Sequence, residues 1–509
     1  MSRNDTRHVR RRELLQATAG GLLVGAAGVS ASFAGVATAR SGEQRYIVTT
    51  NSNAEPGIEA AGFDVTGTLA DGTVLIVVGS EGGRDTLEGV SGVQHVAQDV
   101  EIRLEDPLVD GSAIDASPGV APTSDGSPAL WEFQWEKRLI ELPEAHRTAT
   151  GAGTRIAIVD TGIQPGHPDL GNLNEADSLA FIGGERIEVD EPVDVSVFSH
   201  GTMVAGIAAA QGEGIVGTAP DAELVSIRVF SEEGIATAVD VLLALEYAAE
   251  IDADVVNLSL GTVPLPPEVN ATGLRAARER VANRVVREGT VITAAGGNSN
   301  ANLQHGGWFM FYSSLAGTVG ASATGADDLL TFYSNYGTNA IDVAAPGGGM
   351  ADPIKSYCGV LEYFLEGRIA DPGEETQVCV LDLEPVFPIL VPPDYPGAQC
   401  YPCITSEYPF PLNGIVSTVY NPSTGEFGYD WQGGTSFAAP HVAGLVALVR
   451  ELEPGMNPRR VVDAIEQGAE GATGRSDPEL GAGRINALNT VERVAGDRGR
   501  GRRRLHGPP

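Results

Sequence analysis

Short unbroken apolar runs alternate along the middle of this chain with stretches of helical spacing. The runs at 156–159, 224–229, 255–259, 291–295, 319–321 and 341–344 read as strands buried on both faces. Between two of them, 236–249 is an amphipathic helix, with Val239, Leu242, Leu243 and Tyr247 at helical spacing. Further helices open at His200 and just after Ser436, the second running from Phe437 to about Leu452. This alternation predicts an α/β fold of three layers, a parallel sheet between helices, over 130–490. In such sheets reactive residues gather at strand ends and helix starts. Upstream, residues 40–104 carry strands at 45–48, 74–78 and 100–104 and a short helix at 84–90, a separate small α+β unit. Residues 105–129, rich in Asp, Gly, Ser, Pro and Ala, read as a flexible linker open to cleavage.

Polar residues stand at the expected places. Ser436 follows two glycines and opens a helix, where free N–H groups and the helix dipole favour developing negative charge. A serine there is ordinarily an N-cap, and only distant partners change that reading. Asp160 ends the 156–159 run, and His200 sits at the mouth of its helix. A nucleophilic serine needs a base to take its proton and an acid to hold that base in one tautomer.

The segments Asp160-Thr161-Gly162, His200-Gly201-Thr202 and Gly434-Thr435-Ser436 with Ala438-Ala439-Pro440 resemble the subtilisin-like serine peptidases, the subtilases, in motif and in chain order. The resemblance implies an endopeptidase with Asp160, His200 and Ser436 as its triad, working through an acyl-enzyme. Asn298, after the 291–295 run, would hold the oxyanion; a turn-forming asparagine is the plainer alternative. Ser259, Leu260 and Gly261 match the edge that pairs with an extended peptide, and Ala294, Ala295 and Gly296 would wall a side-chain pocket. The implied partners are protein or peptide substrates. The 40–104 unit resembles the family's propeptide, an intramolecular inhibitor and folding aid; a permanent domain of other function is the alternative. Segment 481–487 resembles the end of the catalytic domain. No cofactor is required for catalysis, and a monomer is expected. Calcium is often structural in this family and Asp169 matches a ligand position, yet loop 211–214 is short for the remaining oxygen ligands. A narrow processing peptidase stays open beside a broad degrader. A non-catalytic peptide binder would show a broken triad, and none is broken.

Composition adds context. The 33 basic and 67 acidic residues give a formal charge of −34, with Lys137 and Lys355 the only lysines. That excludes nucleic acid as a natural partner and favours a salt-screened setting. Arg11-Arg12 before a soft apolar stretch, with Ala37-Thr38-Ala39 after it, resembles a twin-arginine export signal over 1–39. Nothing later reaches membrane-spanning length, so a secreted protein is expected. Together these features resemble the halolysin-like subtilases of salt-loving archaea; an acidic bacterial protein is the alternative. Residues 491–509, with Arg498, Arg500, Arg502, Arg503 and Arg504, read as a disordered basic tail.

Other positions depart from the family pattern. An insertion at about 349–414 holds all four cysteines, Cys358, Cys379, Cys400 and Cys403. For an exported chain, disulfides Cys358–Cys379 and Cys400–Cys403 are expected first, with a four-cysteine zinc site as an alternative. Trp308, Phe309, Met310 and Phe311 follow Asn298, where one ring narrows the pocket or the group simply packs. Phe437 stands where methionine is common, which implies resistance to peroxide. Met203 and Gly433 also depart, away from the proton path. Glu188, Asp190, Glu191 and Asp194 form an acidic cluster read as a solvated loop, with cation binding as the alternative.

Overall fold

The computed structural model describes residues 30–505, apart from 106–125, 188–192, 261–263, 268–272, 361–368, 372–376, 382–388, 391–395, 404–407 and a few isolated positions. Most of the linker, most of the export signal and Glu188, Asp190, Glu191 and Gly261 therefore lie outside the described residues.

An eight-stranded sheet forms the middle layer. In space its order is Glu185–Ile187, Leu179–Ile182, Glu223–Arg228, Arg155–Asp160, Val255–Leu258, Val291–Ala295, Thr318–Thr324 and Val343–Pro346. All neighbours are parallel except the outermost Glu185–Ile187 hairpin strand. The solid apolar runs have their cause here, because both faces are covered. Ile156 and Ile158 point into one core with the His200–Ala209 and Thr435–Leu452 helices. Ala157 and Val159 point into the other, with the Ala238–Glu250 and Leu274–Glu288 helices. The chain leaves Arg155–Asp160 first to one side and later to the other, so the carboxyl end of this strand is a topological switch point.

Element boundaries differ in instructive places. Residues 235–237 extend the region before the helix as a strand, and a Thr237–Asp240 capping box starts the helix at Ala238 rather than 236. The helix that holds Ser436 begins at Thr435, so Ser436 lies inside its first turn. The last helix, Ala487–Leu505, runs through the arginine-rich segment expected to be irregular. No helix among the described residues is long and apolar enough to cross a membrane.

The small N-terminal unit is a sheet built on Glu43–Thr50, paired with Val74–Ser80 and Val93–Gln98. Its alternation separates two cores. Tyr46, Val48, Leu75 and Val77 face its own short helices, whereas Ile47, Val74 and Ile76 face the Ala238–Glu250 and Leu274–Glu288 helices. Polar ties frame this contact: Arg280 donates to the carbonyls of Thr50 (2.7 Å) and Thr73 (2.8 Å), and Arg284 pairs with Asp71 and Glu246. Buried Asp99, paired with Arg45 at 2.9 Å, accepts from Val239 N and so caps a helix of the larger domain. The unit's last strand, Val100–Glu105, then pairs antiparallel with Ile235–Thr237, Ile102 lying opposite Ala236.

In the insertion, Gln377–Leu381 and Gln399–Pro402 pair antiparallel with Cys379 opposite Cys400, and these two are bridged. This corrects the expected pairing: residues directly across a ladder bring their side chains within bonding reach, which sequence spacing does not show. A four-thiolate zinc site is excluded with it. Cys358 and Cys403 are both buried in the main core, the Cys358 Sγ 3.5 Å from the Cys403 carbonyl.

Candidate active site

Asp160, His200, Asn298 and Ser436 converge at the carboxyl ends of the central strands. Asp160 is fully buried at the end of its strand, and Thr161 N donates to its Oδ1 at 2.7 Å. The same oxygen lies 2.6 Å from His200 Nδ1. A carboxylate only accepts, so Nδ1 carries the hydrogen and Nε2 presents its lone pair. Ser436 is buried in the first turn of its helix. The next residue, Phe437, sets its ring 5.7 Å from the imidazole, which places the serine and histidine elements side by side.

Ser436 and Ser259 exchange hydrogen bonds. Ser436 Oγ donates to the Ser259 carbonyl at 3.0 Å, and Ser259 Oγ donates to the Ser436 carbonyl at 2.6 Å. Pro440 explains the second bond. It lies one turn along the helix and has no N–H, so the Ser436 carbonyl lacks its usual intrahelical donor and Ser259 supplies one. Asn257 Nδ2 in turn fixes the Ser259 hydroxyl at 2.9 Å. Ser259, read from the sequence as a substrate-edge residue, braces Ser436 here, and Leu260 beside it is buried.

Asn298 is oriented by Thr435, the residue before Ser436. Its Oδ1 accepts from Thr435 N at 2.9 Å and Thr435 Oγ1 at 2.8 Å, which turns Nδ2 the other way. That nitrogen has no hydrogen-bond partner among the described residues. In the sequence the one sign of Thr435 is its place between Gly434 and Ser436. Ala294 and Ala295 are buried at the end of the adjacent strand. Gly296 packs so tightly that an added Cβ would lie 2.8 Å from the Ala321 carbonyl. Of the four residues at 308–311, Phe309 and Phe311 turn inward under Arg278, whose guanidinium lies 3.7 Å from the Phe311 centroid. Trp308 is exposed, and Met310 packs beside Gly297 with its sulfur 3.3 Å from Asn335 Nδ2.

Asp169 does not fit a calcium ion. Its carboxylate accepts from Glu213 N (2.6 Å), Gly214 N and Ile215 N (both 3.0 Å), and Tyr429 Oη (2.7 Å). The short 211–215 loop turns hydrogens toward the carboxylate where a cation site would need oxygens. Among the described residues no group of three or more His, Cys, Asp or Glu side chains is arranged to hold a metal.

The model of the subtilase family matches residues 151–483. Thermitase from Thermoactinomyces vulgaris is 35% identical over 238 residues, 46% of this chain and 77% of thermitase. M-protease from Shouchella clausii is 27% identical over 402 residues, 78% of each chain. Among solved structures, a protease from Pseudoalteromonas arctica superposes with a TM-score of 0.53 at 25% identity, covering 72% of this chain and 99% of its own. The epidermin leader peptide processing serine protease of Staphylococcus aureus shares the fold, with a TM-score of 0.61 at 20% identity over 89% of this chain and 98% of its own.

Proposed function

Because this chain belongs to the subtilase family of serine peptidases, we propose that it is an exported endopeptidase whose catalytic residues are Asp160, His200 and Ser436. The observation that carries this reading is the buried 2.6 Å contact between Asp160 and His200, beside the helix that holds Ser436. For the reaction to begin, the Ser436 hydroxyl must turn from the Ser259 carbonyl to His200 Nε2. The imidazole takes the proton as Oγ attacks the peptide carbonyl, and Asp160 stabilises the resulting imidazolium. Asn298 Nδ2 and the Ser436 N–H stabilise the oxyanion. His200 then protonates the leaving amine, and water repeats the sequence to release the acyl product.

The 40–104 unit is read as the propeptide: it packs on two helices of the catalytic domain, and its last strand lies along 235–237. The acidic, lysine-poor composition supports the halolysin-like reading, with activity rising toward molar NaCl; full activity without salt contradicts it. The folded, cross-linked insertion keeps a narrow processing role as the second reading, and a proteome-wide cleavage profile separates it from broad degradation. The test of the enzyme reading is Ser436→Ala. Hydrolysis of casein should fall by about 10⁶-fold and labelling by a fluorophosphonate should vanish. A variant that keeps either contradicts the assignment.

A further inference from the structure

We propose that Asp194 is a positioning residue of this site, a clamp that joins the turn after Asp160 to the first turn of the His200 helix and so fixes the acid–base contact. The inference rests on the peptidase reading of Asp160, His200 and Ser436. Asp194 lies in the acidic stretch read from the sequence as a solvated loop, yet its carboxylate is enclosed by donors. Oδ1 accepts from Thr161 Oγ1 at 2.7 Å and from Ser196 N at 2.9 Å. Oδ2 accepts from Thr202 N at 2.8 Å and Thr202 Oγ1 at 2.7 Å. Thr161 follows Asp160, and Thr202 stands in the same helical turn as His200.

The two ends of the clamp are also joined directly. Thr161 Oγ1 accepts from Gly201 N at 2.9 Å, Thr202 Oγ1 accepts from Gln164 N at 3.0 Å, and Val195 N donates to the Thr161 carbonyl. The glycines permit this closeness. A Cβ on Gly201 would lie 2.1 Å from the Gly162 carbonyl, and one on Gly162 would lie 2.3 Å from the Val193 carbonyl. The threonine and glycine that follow both Asp160 and His200 are therefore explained by this clamp. Asp194 also supplies what the helix lacks locally: its N-cap, Ser199, makes no side-chain cap, and the Asp194 carboxylate takes the third amide instead. Asp194 touches no reacting atom. It acts by holding Asp160 and His200 in register, where small displacements weigh heavily on turnover.

The test measures kcat and KM on a peptide substrate for the matured enzyme, per site titrated with a fluorophosphonate. Any unprocessed chain is first cleaved by a trace of wild type. Asp194→Asn keeps the shape but turns an N–H₂ toward amide and hydroxyl donors. We expect kcat to fall roughly 10- to 100-fold with KM changed less than about twofold. Thr161→Val, which removes one arm, should lose kcat in the same sense, and Thr161→Ser should restore it. This pair decides the matter where Asp194→Asn does not fold. Unchanged kcat in Asp194→Asn and Thr161→Val, with only a lower Tm, overturns the proposal while the wild type stays active. A wild type that neither cleaves peptides nor reacts with the fluorophosphonate overturns the peptidase reading, and this proposal with it.

Discussion

Asn298 keeps its amide nitrogen buried and without a partner among the described residues, a state that costs about 1–3 kcal/mol where nothing offsets it. Thr435 holds the amide in that orientation through two bonds to Oδ1, so the cost is built in rather than incidental. An oxyanion is the group that would satisfy the nitrogen. Asn298→Ala should therefore lower kcat by about 100- to 1000-fold with little change in KM, read by steady-state kinetics; a KM effect alone would assign Asn298 to ground-state binding. Phe437 bears on a different property. Its ring lies against His200 where a methionine would offer an oxidisable sulfur. Activity should survive dilute hydrogen peroxide, and Phe437→Met should make it sensitive; rapid loss in the wild type would contradict this. These residues could be read from the sequence because each is a chemical group at a strand end or helix mouth. Asp194 could not. A carboxylate in an acidic run looks solvated until the two turns that enclose it are folded together.

At the scale of elements, the strands that the sequence reveals are those buried on both faces, such as Val255–Leu258 and Val291–Ala295. Leu179–Ile182, Glu185–Ile187 and Ile235–Thr237 escape notice because they are short, and the last two lie at sheet edges, where pairing rather than apolar patterning makes the strand. The insertion shows the same limit. Its cysteines announce a cross-link, but the partner of Cys379 is set by a ladder register, not by spacing. The Cys379–Cys400 bridge closes a segment with a sequence separation of 21, which restricts the unfolded insertion by about 3 kcal/mol. Replacing both with serine should speed proteolytic nicking within 349–414 while kcat/KM on a short peptide stays within about twofold. A collapse of kcat/KM on that peptide would instead tie the insertion's fold to the site itself.

Over the whole molecule, burial of carboxylates makes stability depend on pH. Burial raises Asp194 and Asp342 to about 6, and Asp240 and Asp430 to about 7, even though backbone N–H donors oppose each shift. In the unfolded chain these groups titrate near 3.9. Their folded values are raised, so the stability they contribute is complete below the unfolded value and is lost progressively as pH climbs from there through the folded values of about 6 to 7. The buried histidines His146, His167 and His441 work the other way. Burial lowers all three, so their contribution is present above the unfolded value of about 6.5 and lost as pH falls below it. Lys137, lowered to about 8 beside Glu136, raised to about 7, forms a buried pair whose two trends oppose each other. Titration of carboxylates also relieves part of the self-repulsion of a chain with net charge −34. Between pH 8 and about 6.5 the folded aspartates take up protons that the unfolded chain does not, and the histidines have not yet begun to charge, so stability should rise on acidification across that window. Thermal unfolding of the Ser436→Ala precursor, which cannot digest itself, at fixed molar NaCl reads this directly. A Tm that climbs steadily from pH 6 to 8 would mean that the buried aspartates are held as stable carboxylates, their hydrogen bonds outweighing the loss of water.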